Sequence, residues 1–131
     1  MTVREELWAE EVHEPISHYA HGVRVGNLVF VSGCIGADAE GNLVGGDDVA
    51  AQARQALLNI QQILAKAGAT LADVCKVTVY LTDVDDRPKI NPVRQELFGS
   101  ARPASTLIEI SRLAMPGAKV EIEAVAALSG T

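Results

Sequence analysis

The residues from Lys119 to Leu128 alternate between two kinds of side chain, and this pattern constrains the fold more than any other feature of the chain. Successive side chains of a β-strand point to opposite faces, so the segment is predicted to be a strand. One face is wholly aliphatic and carries Val120, Ile122, Ala124, Ala126 and Leu128. The other carries Glu121 and Glu123 together with Val125 and Ala127. A face of this mixed kind fits a subunit interface that contains a solvated pocket.

Two stretches have helical patterns. From Val49 to Ala67, apolar residues recur three and four positions apart, which is typical of a helix with one buried face. Asp48 is placed to cap the start of this helix. A shorter helix is predicted to end near Phe98. Asn91 would be its N-cap and Pro92 its first residue, because proline is tolerated at that position.

The remaining β-rich segments complete an order of ββ-α-β-α-ββ. This order predicts one α+β domain over residues 1–131, with a mixed β-sheet and two helices on one face. Residues 1–13 are mixed and polar, and we expect an irregular or edge segment there. The β-rich segments are a hairpin over 21–34 that turns at Gly26-Asn27, a strand over 74–81 and a strand over 104–110.

Composition excludes several classes of protein. The chain has 17 acidic and 11 basic residues, a net charge of −6, and only 4% aromatic residues, which argues against nucleic-acid binding. No run of about 18 apolar residues predicts a membrane span. The acidic start lacks a signal sequence, so the expected location is cytoplasmic. Because 48% of residues are hydrophobic and only 21% are charged, we expect part of the apolar surface to be covered by another copy of the chain.

Metal and thiol chemistry have little support in the sequence. Cys34 and Cys75 lack the spacing of a zinc or redox motif, so both are predicted to be buried, reduced thiols. His13, His18 and His21 lie close together without a clear third ligand, and we predict no metal site. Glu109, Glu121 and Glu123 lie mid-strand, where each is either a general acid or base or a solvated surface carboxylate.

Several blocks, taken together and in order, resemble the RidA/YjgF family of reactive-intermediate deaminases from about residue 14 to 128. The resemblance implies a homotrimer in which three sheets form a central barrel, with sites in the clefts between neighbouring subunits. It also implies hydrolysis of small enamines and imines to a keto acid and ammonia, with no metal or cofactor. The blocks are residues 15–23, 26–33, 52–68 and 73–81, Asn91, residues 102–106 and residues 120–126.

The resemblance assigns site residues by position and shows one departure. Tyr19, Ser32 and Asn91 match residues of the family's substrate pocket, and Glu121 matches the glutamate that positions the attacking water. The family block Pro-Ala-Arg-Ser has an arginine that holds the substrate carboxylate, and here Ser105 takes its place. A serine hydroxyl supplies neither the charge nor the two-pronged donor set of a guanidinium. The pocket is therefore either rebuilt for a less anionic substrate or altered by drift.

Two neighbours of Ser105 are further candidates for substrate binding. Thr106 follows it directly, and its hydroxyl is a potential hydrogen-bonding group. Arg102 is a possible substitute for the missing arginine, although an odd offset along a strand would point it to the opposite face.

These observations lead to three functional hypotheses. The first is a hydrolase of C–N bonds in which Glu121 is catalytic, Tyr19 and Ser105 or Thr106 bind the small-molecule substrate, and Asn91 shapes the wall. The second, favoured by the loss of the arginine, is a non-catalytic ligand-binding or chaperone-like trimer. The third is an endoribonuclease, against which the acidic charge counts.

Overall fold

Six strands form one mixed sheet in the order β1-β2-β3-β6-β4-β5. The structure is a computed structural model, and it describes residues 3–129. Every strand pairing is antiparallel except that of β4 with β5. The predicted mixed sheet with two helices on one face is confirmed. The elements are β1 Arg4–Leu7, β2 Gly22–Val25, β3 Leu28–Ile35, α1 Val49–Ala65, β4 Val74–Leu81, α2 Arg87–Phe98, β5 Ala104–Glu109 and β6 Val120–Ala127.

Helix α1 lies across the middle of the sheet and covers β3 and β6, and α2 packs beside it. The periodicity of the sequence explains this packing, because the apolar stripe of α1 is wholly buried. Its side chains Leu57, Ile60 and Leu64 have no solvent exposure. The predicted cap at Asp48 is confirmed, since its carboxylate accepts hydrogen bonds from the N–H groups of Ala50 and Ala51 at 3.0 and 3.2 Å.

Strand β6 occupies the centre of the sheet, and its alternation is confirmed. The aliphatic face points into the core beneath the helices, where Val120, Ile122, Ala124 and Ala126 are at most 3% exposed. The face with Glu121 and Glu123 points away from the helices. We call this outward surface of the sheet the open face. It also presents Leu28, Phe30 and Ile108, which are 39%, 44% and 41% exposed in a single chain.

For residues 4–7 the edge alternative is correct. Instead of an irregular segment, they form the edge strand β1, which pairs antiparallel with β2. The sequence left the two alternatives open because only one side chain of this strand, that of Leu7, is buried. An edge strand that is exposed at most positions has no apolar alternation to reveal it.

Helix α2 begins at Arg87, four residues before the predicted cap at Asn91. A short turn over Val84–Asp86, in which Asp83 accepts a hydrogen bond from the N–H of Asp85 at 2.9 Å, leads directly into the helix. Pro88 lies in the first turn, where proline is tolerated. Pro92 lies inside the helix and removes one hydrogen bond, to a carbonyl at the helix start.

One of the two cysteine predictions is wrong. Cys34 is buried, but Cys75 is exposed. The cause is an irregularity in the pairing of β4 with β6, where Val74 pairs with Ala126 and Lys76 with Val125. Cys75 is the extra residue of this bulge, and a bulge shifts the alternation of inward and outward side chains.

Candidate active site

Glu121 lies on the open face of β6, beside a bulge in β3. Val31 pairs with Ala124, and Cys34 pairs with Ile122, so β3 holds one residue more than β6 in this interval. The bulge falls at Ser32-Gly33, which bends the strand next to the Glu121 side chain. Bulges of this kind re-aim side chains and are common near active sites.

Gly33 makes room for the Glu121 carboxylate. A Cβ atom built on Gly33 would lie 2.7 Å from Oε2 of Glu121 and 2.8 Å from its Cδ, closer than real contacts allow. Gly33 has no positive φ, so backbone conformation does not require glycine here. The requirement is space: only a residue without a side chain lets the carboxylate lie against β3.

The surroundings of Glu121 favour its protonated form. The side chain is half-buried, and loss of solvation, followed by the negative charge of Glu123, raises its pKa above the usual value. Tyr80 donates a hydrogen bond to Oε1 of Glu123 at 2.9 Å. Within residues 3–129, no donor of the same chain hydrogen-bonds to the Glu121 carboxylate. It is therefore free to accept a proton or to hold a water molecule.

Three predicted site residues meet at one cavity of about 310 Å³. Tyr19 is 38% exposed and forms part of its wall. The Ser32 hydroxyl donates to the carbonyl of Ala20 at 2.7 Å, so its oxygen remains as an acceptor. We call this the glutamate cavity, and its lining residues are Ile16, Ser17, Tyr19, Ser32, Gly33, Ala114 and Glu121.

The other predicted residues lie elsewhere in the chain. Asn91 and Arg102 line a second cavity of about 440 Å³, between the C-terminal part of α2 and the loop that follows it. Ser105 lies nearby on β5, on the helix-covered side of the sheet, because it pairs in parallel with the buried Val77. We call this the arginine cavity. Its lining residues are Asn91, Arg94, Gln95, Phe98, Gly99, Ala101, Arg102 and Pro103.

Thr106 is separated from Ser105 by the alternation of β5. It lies on the open face, where the ammonium of Lys76 donates to its hydroxyl oxygen at 2.7 Å. Arg102 precedes β5, so the argument from strand alternation does not apply to it. A single chain therefore does not bring Glu121 together with Asn91, Arg102, Ser105 or Thr106.

Arg94 also lines the arginine cavity, and the sequence did not reveal it as a candidate. Its Nη2 donates a hydrogen bond to the Ser105 hydroxyl at 2.9 Å. The side chain is half-buried, and loss of solvation lowers the pKa of its guanidinium. Its spacing from Asn91 could have indicated it, because residues three positions apart on a helix lie on the same face.

The remaining candidates have structural roles or lie apart from Glu121. His21 is buried, with Nδ1 accepting the N–H of Ala9 at 3.0 Å and Nε2 lying 2.8 Å from the carbonyl oxygen of His13. His18 lines a separate surface cavity. Burial, and to a lesser degree the charge of Glu121, raises the pKa of the Cys34 thiol to about 12, which makes it a poor nucleophile.

Residues 3–129 contain neither a metal-ligand cluster nor a helix that could cross a membrane. No cluster of three or more His, Cys, Asp or Glu side chains is arranged to hold a metal ion. No helix in this range is long and apolar enough to cross a bilayer.

The fold and the site define a small α+β protein with a half-buried carboxylate in an outward-facing cavity of its sheet. The family model described as Endoribonuclease L-PSP matches residues 10–128. A RutC family protein of Pyrococcus abyssi is 43% identical over 124 residues, which are 94% of this chain and 96% of that protein. The chain belongs to this family, which is the RidA/YjgF family.

Named relatives show the kind of chemistry found in the family. A Bos taurus protein named 2-iminobutanoate/2-iminopropanoate deaminase is 38% identical over 125 residues, which are 95% of this chain and 90% of that protein. The crystal structure of E. coli TdcF with bound serine has a TM-score of 0.88 and 32% identity, and the match covers 95% of this chain and 99% of that one. The family thus includes imine deaminases.

Proposed function

We propose that this protein hydrolyses the C=N bond of a small imine, or of the imine tautomer of an enamine, with Glu121 positioning and deprotonating the attacking water. The observation that carries this proposal is the state of the Glu121 carboxylate. It is half-buried, has a raised pKa, faces the glutamate cavity, and accepts no hydrogen bond from any donor among residues 3–129. A general base needs a pKa closer to the working pH than that of an exposed carboxylate. The names of the deaminase relatives support the reaction class.

The proposed reaction needs only water as a co-reactant. The water oxygen bonds to the imine carbon, its proton moves to Glu121, and the C=N electron pair moves to nitrogen, which takes that proton back. In the resulting carbinolamine, Glu121 transfers the hydroxyl proton to the nitrogen. The C–N bond then breaks, its electron pair leaves with ammonia, and an oxygen lone pair forms the carbonyl group.

We further propose that the complete site forms between two copies of the chain in a trimer. The glutamate cavity and the arginine cavity belong to opposite sides of one sheet, so a substrate cannot contact both within one chain. The open face offers exposed apolar side chains, among them Phe30 and Ile108, for packing against neighbours. This packing would set the glutamate cavity of one chain against the arginine cavity of the next.

The second candidate is a non-catalytic binding protein, which the serine at position 105 favours. It predicts that small molecules bind and raise the melting temperature while no imine is hydrolysed. An RNA-cleaving activity has weaker support, because the net charge is −6 and phosphate binding requires clustered basic residues.

The test is ammonia release from imines that an amino-acid oxidase generates in situ from several amino acids. We expect the wild-type protein to accelerate release, and E121Q to abolish the acceleration while remaining folded. E40Q is the matched control, since it removes one carboxylate from an exposed turn. Wild-type turnover by E121Q would refute the role of Glu121. Ligand-induced stabilisation without hydrolysis of any imine would favour the binding protein.

A further inference from the structure

The arginine cavity is a positively charged concavity in an acidic protein. Arg94 and Arg102 both line it, and none of its lining residues is acidic. The chain as a whole has a net charge of −6. A local excess of two positive charges in such a chain points to an anionic ligand.

Among residues 3–129, no carboxylate pairs with the half-buried guanidinium of Arg94. It is half-buried, and its hydrogen-bond partner among residues 3–129 is the neutral hydroxyl of Ser105. A partly desolvated cation is usually paired with an anion, because removal from water is costly. Arg54 shows the contrast within the same chain. It is more exposed, yet both of its terminal nitrogens bind the carboxylate of Glu96, at 2.7 and 2.8 Å.

The geometry around Arg94 leaves donors available for a ligand. A guanidinium has five N–H groups in a planar fork, and the bond to Ser105 uses only one of them. That bond anchors one edge of the fork and leaves other N–H groups free. Asn91 lies one turn earlier on the same helix and lines the same cavity, so its amide is a second polar group near the same ligand. A carboxylate accepts two parallel hydrogen bonds from such a fork.

We propose that Arg94 binds the carboxylate group of the substrate in the arginine cavity, with Ser105 acting as a positioning residue for its guanidinium. This inference rests on the proposed function, because it makes the substrate an anionic imino acid and not a neutral imine. The positive charge that Ser105 cannot provide is supplied from α2. Arg102 has a smaller part, since it is exposed at the rim of the cavity and makes no hydrogen bond among the described residues.

The direct test measures binding separately from turnover. The probe is 2-oxobutanoate, a keto acid that contains no nitrogen and resembles the product of imino-acid hydrolysis. It is titrated into the whole protein and its binding is measured by calorimetry. We expect R94Q to weaken its binding by about tenfold or more, as expected for loss of a charged hydrogen bond. R94K should recover part of the affinity because it retains the charge. R87Q, an exposed arginine on the same helix, is the matched control and should bind like wild type.

Kinetics extend the test to the reaction. With an imino acid as substrate, R94Q should raise KM much more than it lowers kcat, and with an uncharged imine both values should stay near those of wild type. Equal affinity of R94Q and wild-type protein for 2-oxobutanoate, or no binding by wild type at millimolar probe, would overturn the proposal. E121Q should bind the probe normally. Failure of the proposed function, shown by an active E121Q, is therefore distinguishable from failure of the Arg94 assignment.

Discussion

At the scale of single residues, the central feature is the contact between Gly33 and Glu121. The space that a glycine leaves at the β3 bulge is filled by a carboxylate, 2.7 Å from where a Cβ would stand. We expect G33A to push the flexible end of Glu121 out of position. Activity should fall at least about tenfold while the fold is kept, because a displacement of even 1 Å at a catalytic group is costly.

Steady-state kinetics and thermal unfolding of G33A check this prediction together. Ala114→Gly is a control, since it also changes one methyl group in the lining of the glutamate cavity. A G33A protein with the wild-type rate would show that the close approach of Gly33 to Glu121 has no role in catalysis.

The charge of Glu123 should shift the acidic limit of activity, although burial is the larger cause of the raised pKa of Glu121. Its negative charge disfavours the ionised form of Glu121 and so helps to raise that pKa. Activity requires the ionised base, and it should therefore fall as pH drops through the raised pKa. In E123Q the repulsion is absent, so the pKa of Glu121 should fall and the acidic limb should move to lower pH. The measurement is kcat/KM against pH, and a limb that stays in place or moves to higher pH would contradict the account.

At the scale of secondary-structure elements, the sequence predicted those elements whose apolar residues recur with a regular period. Helix α1 and strand β6 each have one buried face. Apolar residues therefore recur with a period of 3.6 in the helix and of 2 in the strand. Features outside this periodicity were not fixed by it. Strand β1 exposes most of its side chains, so its residues fitted either an irregular or an edge segment. A preceding turn starts α2 four residues before the predicted cap, which places Pro92 inside the helix. Cys75 was misplaced for a related reason, since a bulge breaks the alternation.

Some residues of the candidate site could likewise be predicted from the sequence, and one could not. Residues fixed by position in family-like blocks, such as Tyr19 and Glu121, were found from the sequence, and the structure places them at one cavity. Arg94 was missed because its role depends on a contact between α2 and β5. Such a contact joins residues that are eleven positions apart and leaves no periodic mark.

The stability of the first turn of α1 should depend on the Asp48 carboxylate. Its carboxylate accepts two N–H groups of the first turn that otherwise lack partners. We expect D48A to lower the free energy of unfolding by about 1 kcal/mol. Chemical denaturation measures this loss, with D47A as the control because Asp47 is an exposed neighbour without these bonds. Equal stability of D48A and D47A would show that the cap contributes nothing.

At the scale of the whole molecule, the open face links composition to assembly. A chain with 48% hydrophobic and 21% charged residues leaves Leu28, Phe30 and Ile108 exposed on one side of its sheet. Apolar patches of this kind mark interaction surfaces. The proposed trimer covers them and, in doing so, joins two half-sites that a single chain holds apart.

The trimer should therefore be sensitive to charge on this face. Phe30 pairs with Val125 at its centre, and F30E would place a carboxylate in the interface. We expect light scattering after size exclusion to give about three times the 13.8 kDa chain mass for wild type and a lower mass for F30E. V84E is the control, because Val84 has a similar exposure of 43% but lies outside the sheet. Monomeric wild-type protein, or a trimeric F30E, would refute this assembly.

The most direct test of the account mixes two impaired variants in one oligomer. E121Q lacks the proposed base, and R94Q lacks the proposed carboxylate ligand, so each alone should be slow at substrate concentrations below KM. When differently tagged E121Q and R94Q chains are co-expressed and mixed oligomers are purified through both tags, some clefts combine an intact Glu121 with an intact Arg94. Every mixed trimer has one such cleft among its three, so the purified mixed oligomers should recover about a third of the wild-type rate of ammonia release. A mixed oligomer no more active than the average of the two parents would contradict a site shared between neighbouring chains.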